Sequence, residues 1–459
     1  MKKSVLGLTL ATLAAGMLLG SCGKAADANV LNIQCWNEEF RGFFNRYSTD
    51  EGKALLKEGK LMDDEAKKAK EGYHVDGVPV KFVETPSTDG AYQKALDNAL
   101  EGNAGKKAAD KVDMFLAEAD YILKYANSAV TQDIDTLTNT KIDQSHVYNY
   151  TKQAASDASG HVKGISFQCC PSGLIYNRTI AKDMFGTDDP EVVQTKVDSW
   201  EKFETLGDQL KEKNAHYKLT ASFAETYRVF SNNVKAPWVN SANELSIPAE
   251  VVTWMDQAED LVTKGETVTD GIWDAGKTAL IKKDPKAEDD KAFCCFGPAW
   301  YYNFCMGDSK AGDWAVIKGP QSHFWGGTWL MAASGTDNGD LVAKIMDQYI
   351  NDAGTMQALI KNENQFTNNQ VENQKAADAG HANAFLGGQN DTALFCEAAK
   401  SIKFENVTAY DQYCNEGLQN KYQEYLVSLK TGNGKVTREQ AINNFKTSMK
   451  EQFPKLIIK

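Results

Sequence analysis

Strands that alternate with helices, a chain too long for one hydrophobic core and an export-type N-terminus predict an α/β protein of two lobes, each a mostly parallel sheet flanked by helices. Val30-Leu31-Asn32-Ile33-Gln34-Cys35 has the alternation of a strand, and Val78, Val80 and Phe82 repeat it. Between them, from about 42 to 70, charged residues interleave with Leu55, Leu56 and Leu61, the pattern of one or two surface helices. Ala91, Tyr92, Ala95, Leu96, Ala99 and Leu100 recur at helical spacing, and a strand at 113 to 117 completes a βαβαβ unit. The polar run 101 to 111 reads as a solvated loop.

From Val162 a second lobe is expected, with strands at 163 to 168 and near 174 to 176. A helix follows, its start marked by Asp198 and Glu201 in a D-x-x-E capping pattern. Further strands fall at 292 to 296, 314 to 317 and 328 to 333, before a helix with Leu341, Val342, Ile345, Met346, Tyr349 and Ile350 on one face. From about Lys375 the pattern is mainly helical. The roughly 430 residues beyond the leader exceed one core, so two domains assembled from separated segments are expected.

Lys2 and Lys3 precede an almost wholly apolar run from Val5 to Leu19, so residues 1–21 read as a signal peptide. The run is shorter than the roughly 20 residues a membrane span needs. Leu19-Gly20-Ser21-Cys22 resembles the lipobox of bacterial lipoproteins, which implies a lipidated Cys22 at the mature N-terminus. The small, polar residues 22–29 suit a flexible tether.

The formal charge is −12, or −14 once Lys2 and Lys3 are set aside with the leader, which opposes nucleic acid and anionic membrane surfaces as partners. Anionic cargo is disfavoured too, because Arg41, Arg46, Arg178, Arg228 and Arg438 are the only guanidinium forks for phosphate or carboxylate. Besides Cys22 there are Cys35, Cys169, Cys170, Cys294, Cys295, Cys305, Cys396 and Cys414. Several sit in apolar runs, where cysteine behaves as a small buried hydrophobe, and free thiols are favoured over disulfides. The vicinal pairs lack the C-x-x-C spacing of a zinc site, so no metal or cofactor is expected.

Loops at the carboxyl ends of parallel strands form the ligand crevice of such folds. The first strand runs into Trp36-Asn37-Glu38-Glu39, the second into Glu84-Thr85-Pro86 and the third into Glu118-Ala119-Asp120-Tyr121; of Glu118 and Asp120 only Asp120 is expected to reach the crevice. The second lobe adds Tyr227, Arg228, Trp238, Trp273, Trp300 and Tyr301, and Trp325-Gly326-Gly327 follows; Trp200, Trp254 and Trp314 read as core. Aromatic faces opposite acids and amides suit a neutral sugar, whose C–H face stacks while its hydroxyls need donors and acceptors.

Three other readings are weighed. Glu84 and Asp120 could be the carboxylate pair of a glycoside hydrolase, although no nucleophile motif accompanies them. Tyr301 and Tyr302 could supply phenolates to ferric iron, but adjacent residues of a strand point to opposite faces. A surface adhesin or sensor partner is the third.

Taken in order, these landmarks resemble the family 1 extracellular solute-binding proteins of sugar ABC transporters, which include maltose-binding proteins. The carriers are Cys22, Leu31-Asn32-Ile33-Gln34-Cys35-Trp36-Asn37, Asp113-Met114-Phe115-Leu116, Gly164-Ile165-Ser166, Leu174-Ile175-Tyr176-Asn177-Arg178, Trp200-Glu201-Lys202-Phe203 and Trp325-Gly326-Gly327-Thr328. The resemblance implies a two-lobed periplasmic-binding-protein-like fold of type II with the ligand in the cleft. Mapped onto this chain, one lobe comprises 30–130 and 325–367 and the other 135–320 and 370–459. It also implies ABC permease subunits as partners, a lipid anchor at Cys22, a monomer and no enzymatic activity. The charged insertion at 42 to 70 and the vicinal cysteines depart from the family pattern.

Overall fold

A computed structural model describes residues 29–139 and 141–459, so the signal peptide, Cys22 and all of the tether but Asn29 lie outside the described residues. The chain lays down β1 (Leu31–Cys35), a hairpin of β2 (Glu71–Val75) and β3 (Val78–Glu84), then β4 (Met114–Glu118) and β5 (Gly164–Ser166). It continues through β6 (Pro171–Asn177), β7 (Tyr217–Thr220), β8 (Glu244–Leu245), β9 (Lys291–Gly297), β10 (Trp314–Ile317), β11 (His323–Phe324), β12 (Thr328–Ala332) and β13 (Ile457–Ile458). One sheet has the order β2-β3-β1-β4-β12-β5 and the other β10-β6-β9-β7, with β11 also on β6; β8 and β13 form a two-stranded ribbon. Many helices cover the two sheets, and the molecule is a two-lobed α/β protein.

Both sheets are mixed rather than mostly parallel, and the cause is the traffic between lobes. In the first, β3, β1 and β4 are parallel and aim their carboxyl ends at the cleft, whereas β12 enters from the cleft and runs against β4. In the second, β6 enters from the cleft and runs antiparallel to β9, which β7 accompanies in parallel. The stretch 135 to 166, expected in the second lobe, closes the first sheet instead. There β5 pairs with β12, and Ile134, Leu137, Ile142 and Val147 pack into the core that holds Leu31 and Ile33.

Strands β1, β4 and β12 are buried along almost their whole length, as strands covered on both faces must be. Leu31, Ile33 and Met114 pack with Val342, Ile345 and Tyr349 on one face, and Phe115 and Ala117 pack with Tyr92 and Tyr125 on the other. The helix Glu39–Tyr47, expected at the surface, is buried almost throughout. Its arginines are paired: Arg41 with Glu84, its Nε left without a partner, and Arg46 with Glu363 at 2.7 Å. The helix expected to be capped by Asp198 starts one residue later, where Ser199 accepts from the Lys202 N–H at 3.3 Å.

Three crossings lie side by side between the sheets, after β5, between β11 and β12, and near 364 to 369. They are stitched together by Cys169 N–H to Phe366 O at 3.0 Å, Trp325 N–H to Cys170 O at 3.1 Å and Asn368 to Ser166 O at 3.0 Å. These three segments link the lobes. All eight described cysteines are buried and unpaired.

Candidate ligand-binding site

The strands that end at the interface of the lobes deliver most of the cleft. After β1 come Trp36 and Asn37; β4 ends in Glu118, with Asp120 and Tyr121 just beyond; β5 leads to Gln168. Arg228 lies on the short helix Tyr227–Ser231 after β7, Trp300 and Phe304 on the helix Ala299–Cys305 after β9, and Trp325-Gly326-Gly327 follow β11. Together with Glu39, Ser87, Trp273, Thr328, Gln412 and Glu416 they line a half-open cleft of about 250 Å³.

Charge is distributed unevenly in this space. Arg228 of the second lobe grips Asp120 of the first with two hydrogen bonds of 2.9 and 2.6 Å, and both side chains are nearly buried. Its guanidinium also lies 5.6 Å from the Trp325 ring centroid, within cation–π range. Burial alone would lower the Arg228 pKa, but the Asp120 charge and hydrogen bonds outweigh it and the net shift is upward. Glu118 accepts the Asp120 N–H at 2.7 Å; burial, then the Asp120 charge, push its carboxyl up to about 8, with Arg228 opposing. Burial likewise pushes Glu39 up to about 7 against hydrogen bonds from Gln168 and Gln365. Four carboxylates therefore line the cleft against one guanidinium.

The aromatic wall is built from behind. Trp300 stands edge-on to Trp325 with centroids 4.9 Å apart, and Tyr301 packs 5.9 Å behind Trp325. The Tyr301 hydroxyl donates to the buried Glu225 carboxylate at 2.8 Å, which also accepts the Phe296 N–H at 2.8 Å. Buried Lys277 lies 4.9 Å over the Tyr301 ring, donates to the Cys305 carbonyl, and offsets part of the burial penalty that raises the Glu225 pKa. Gly326 and Gly327 have φ of +79° and +124°; a Cβ on Gly327 would come within 3.1 Å of the Trp329 ring, so the hinge requires glycine there.

Of the residues expected from sequence, the structure brings Trp36, Asn37, Asp120, Arg228, Trp273, Trp300, Trp325, Gly326 and Gly327 to one cleft. Five lie elsewhere. Glu38 is half exposed, 3.6 Å from Lys68. Glu84 is held by buried Arg41 and by Lys70 at 3.3 Å, so it does not flank a common space with Asp120 as a hydrolase pair would. Tyr227 and Trp238 are core, both bonded to Asn415, at 2.6 and 3.2 Å. Tyr301 supports the wall without reaching its surface.

Tyr301 and Tyr302 stand on a helix rather than a strand, and Tyr302 stacks on Phe385 at 5.3 Å, so the two phenols share no site. Glu118 joins Asp120 in the cleft, contrary to expectation, because the chain turns immediately after β4 and keeps both carboxylates on the same side. Ser87, Gln168, Phe304, Gln412 and Glu416 were not anticipated. Gln412 and Glu416 come from the first turns of the helix Asp411–Thr431, far along the chain from every strand-end signal.

A family model described as bacterial extracellular solute-binding protein matches residues 64–384. No curated protein sequence matches the chain. Among solved structures, one described as an extracellular solute-binding protein family 1 is 16% identical, covers 92% of this chain and 99% of its own, and superposes with a TM-score of 0.69. The ABC substrate-binding protein of Listeria monocytogenes in complex with cycloalternan is 15% identical, covering 93% and 100% of the two chains at a TM-score of 0.63. Maltose-bound T. maritima MalE3 is 11% identical, covering 93% and 100% at a TM-score of 0.61. At these identities the likeness shows the fold.

Proposed function

The chain belongs to the bacterial extracellular solute-binding proteins, and on that premise we propose that it is the lipid-anchored binding component of an ABC importer, capturing a neutral mono- or oligosaccharide between its lobes. One observation carries the reading: Trp300 and Trp325 from one lobe and Asn37, Glu118 and Asp120 from the other line the same half-open space of about 250 Å³. Indole faces cover the C–H face of a sugar ring, and carboxylates, amides and a guanidinium meet hydroxyls that both donate and accept. Neighbours of the same fold solved with cycloalternan, β-1,6-galactobiose and maltose support a carbohydrate.

A ligand touching both walls binds only the closed arrangement, so it shifts an open–closed equilibrium about the three crossings and presents a closed surface to the permease subunits. The protein acts outside the cytoplasm as a monomer held by lipid on Cys22, and its cleft acids bind rather than react. A thermal-shift screen against mono- and oligosaccharides tests the reading. A sugar in large excess over its Kd raises the melting temperature by mass action, and no shift with any sugar overturns it.

A further inference from the structure

The cleft is spanned as well as lined. Asp120 follows β4 in the first lobe and Arg228 lies on the helix Tyr227–Ser231 of the second; the two terminal guanidinium nitrogens each meet a different carboxylate oxygen, at 2.9 and 2.6 Å. The Arg228 and Asp120 side chains are only 11% and 12% exposed. A second polar pair crosses between the same lobes. The Gln93 amide, on the first-lobe helix Ala91–Leu100, donates to the side-chain carbonyl of Gln412, at the start of the second-lobe helix Asp411–Thr431, and both residues are buried.

These pairs differ in kind from the three crossings. The crossings are covalent and persist however the lobes stand, whereas Asp120 and Arg228 lie 108 positions apart and separate when the lobes separate. Both partners are held in place on their own side. The Asp120 N–H donates to Glu118 at 2.7 Å, and the Arg228 guanidinium lies 5.9 and 5.6 Å from the ring centroids of Tyr227 and Trp325, within cation–π range. A bidentate charged pair between groups already fixed loses little side-chain entropy on forming. It also outweighs the burial that alone would lower the Arg228 pKa.

Resting on the lobe movement proposed above but on no particular cargo, we infer that Asp120 and Arg228 form a clasp that draws the lobes together before cargo arrives, so that the free protein already populates the closed arrangement. Part of the closing energy is then supplied by the chain itself, and apparent affinity rises with the fraction already closed. Opening must break the clasp, so the same pair gates entry to the cleft.

X-ray scattering from the full chain without sugar tests this, in the parent and in Asp120→Asn, Arg228→Met and the double variant. The parent is expected to have the radius of gyration of the closed structure. Each single variant should enlarge it, with the closed-to-open ratio falling at least about tenfold, the loss expected for charged hydrogen bonds. The double variant should open as well but no further than the singles, because either change alone breaks the pair. A cooperative melting transition shows that a variant is folded; should a single variant fail that check, the double, which leaves neither charge unpaired, carries the comparison. A parent already as expanded as the variants, or variants as compact as the parent, overturns the clasp, and a sugar that raises the melting temperature still upholds the proposed function. Absence of any sugar response overturns the proposed function and leaves the clasp, since no sugar enters the scattering.

Discussion

The two walls of the cleft are built by different means. The first-lobe wall is polar and acidic, and its Trp36, Asn37, Glu118 and Asp120 follow directly from the ends of parallel strands. The second-lobe wall is aromatic; Trp300 and Trp325 are set by a helix and a hinge segment and are held up by Tyr301, Glu225 and Lys277 behind them. Polar groups at strand ends inherit the rigidity of the sheet. Aromatic rings on a helix and a hinge need their own foundation, and here that foundation is a buried charge cluster.

The largest effect should come from that foundation. Lys277 is fully buried and its charge offsets the burial of Glu225, so Lys277→Met leaves a buried carboxylate with hydrogen bonds from Tyr301 and Phe296 but no positive charge beside it. Removing one partner of such a cluster typically costs about 3–5 kcal/mol. Chemical denaturation at neutral pH should show a loss of that order, and adding Glu225→Gln should recover much of it. A loss under about 1 kcal/mol would mean that the aromatic wall is not propped from behind, since surface substitutions give no more.

Next in size is the contrast between the walls themselves. Trp325→Ala removes a sheltered stacking face and should weaken sugar binding by about 2–3 kcal/mol, the range of a buried aromatic hot spot. Asn37→Ala removes hydrogen bonds that water partly replaces, and about 1 kcal/mol is expected. Titration calorimetry with the sugar that gives the largest thermal shift measures both. Equal losses would break the division of labour between an area-giving wall and a discriminating one.

Neither wall was fully legible in sequence: on the first, Trp36, Asn37 and Asp120 reach the cleft while Glu38 turns to Lys68 and Glu84 to Arg41. Period-two alternation locates β1, β3 and β4, but not the side to which each residue at a strand end turns. The second wall depends on helical register, which composition does not reveal. Trp300 and Tyr301 are neighbours on one helix turn, so one side chain enters the cleft while the other turns to the core; Arg228 and Tyr227 divide in the same way. Trp238 looked as suitable as Trp300 and is sealed against Phe445. A signal for β2 was present but unused: Asp76-Gly77, both with positive φ, is the dipeptide of a tight hairpin turn between two strand-like runs. The membership of 135 to 166 in the first sheet rests on the pairing of β5 with a strand more than 160 residues later, which no window of sequence contains.

The last expected effect, comparable with that of Asn37→Ala, concerns protons on the acidic wall. With the lobes together, burial and Asp120 push Glu118 up to about 8, Arg228 opposes, and Glu416 adds to the rise; burial pushes Glu39 up to about 7. The ordinary value of both is 4.5, so between about 4.5 and 8 the closed cleft holds protons that an open, solvated cleft releases. Closing takes up protons, and closure is favoured as pH falls through this window. Above about 8 the carboxylates must be buried charged, and closure loses that advantage. Sugar affinity should therefore strengthen as pH falls from about 8.5 to 6.5, by about tenfold for one pKa unit of linkage, or 1.36 kcal/mol. Calorimetry in two buffers of different ionisation heat should register proton uptake on binding, and Glu118→Gln, permanently neutral, should flatten the profile. Affinity that instead rises with pH would mean that the acidic wall binds its ligand as charged carboxylates, and the contrast between the walls would then be one of charge as well as shape.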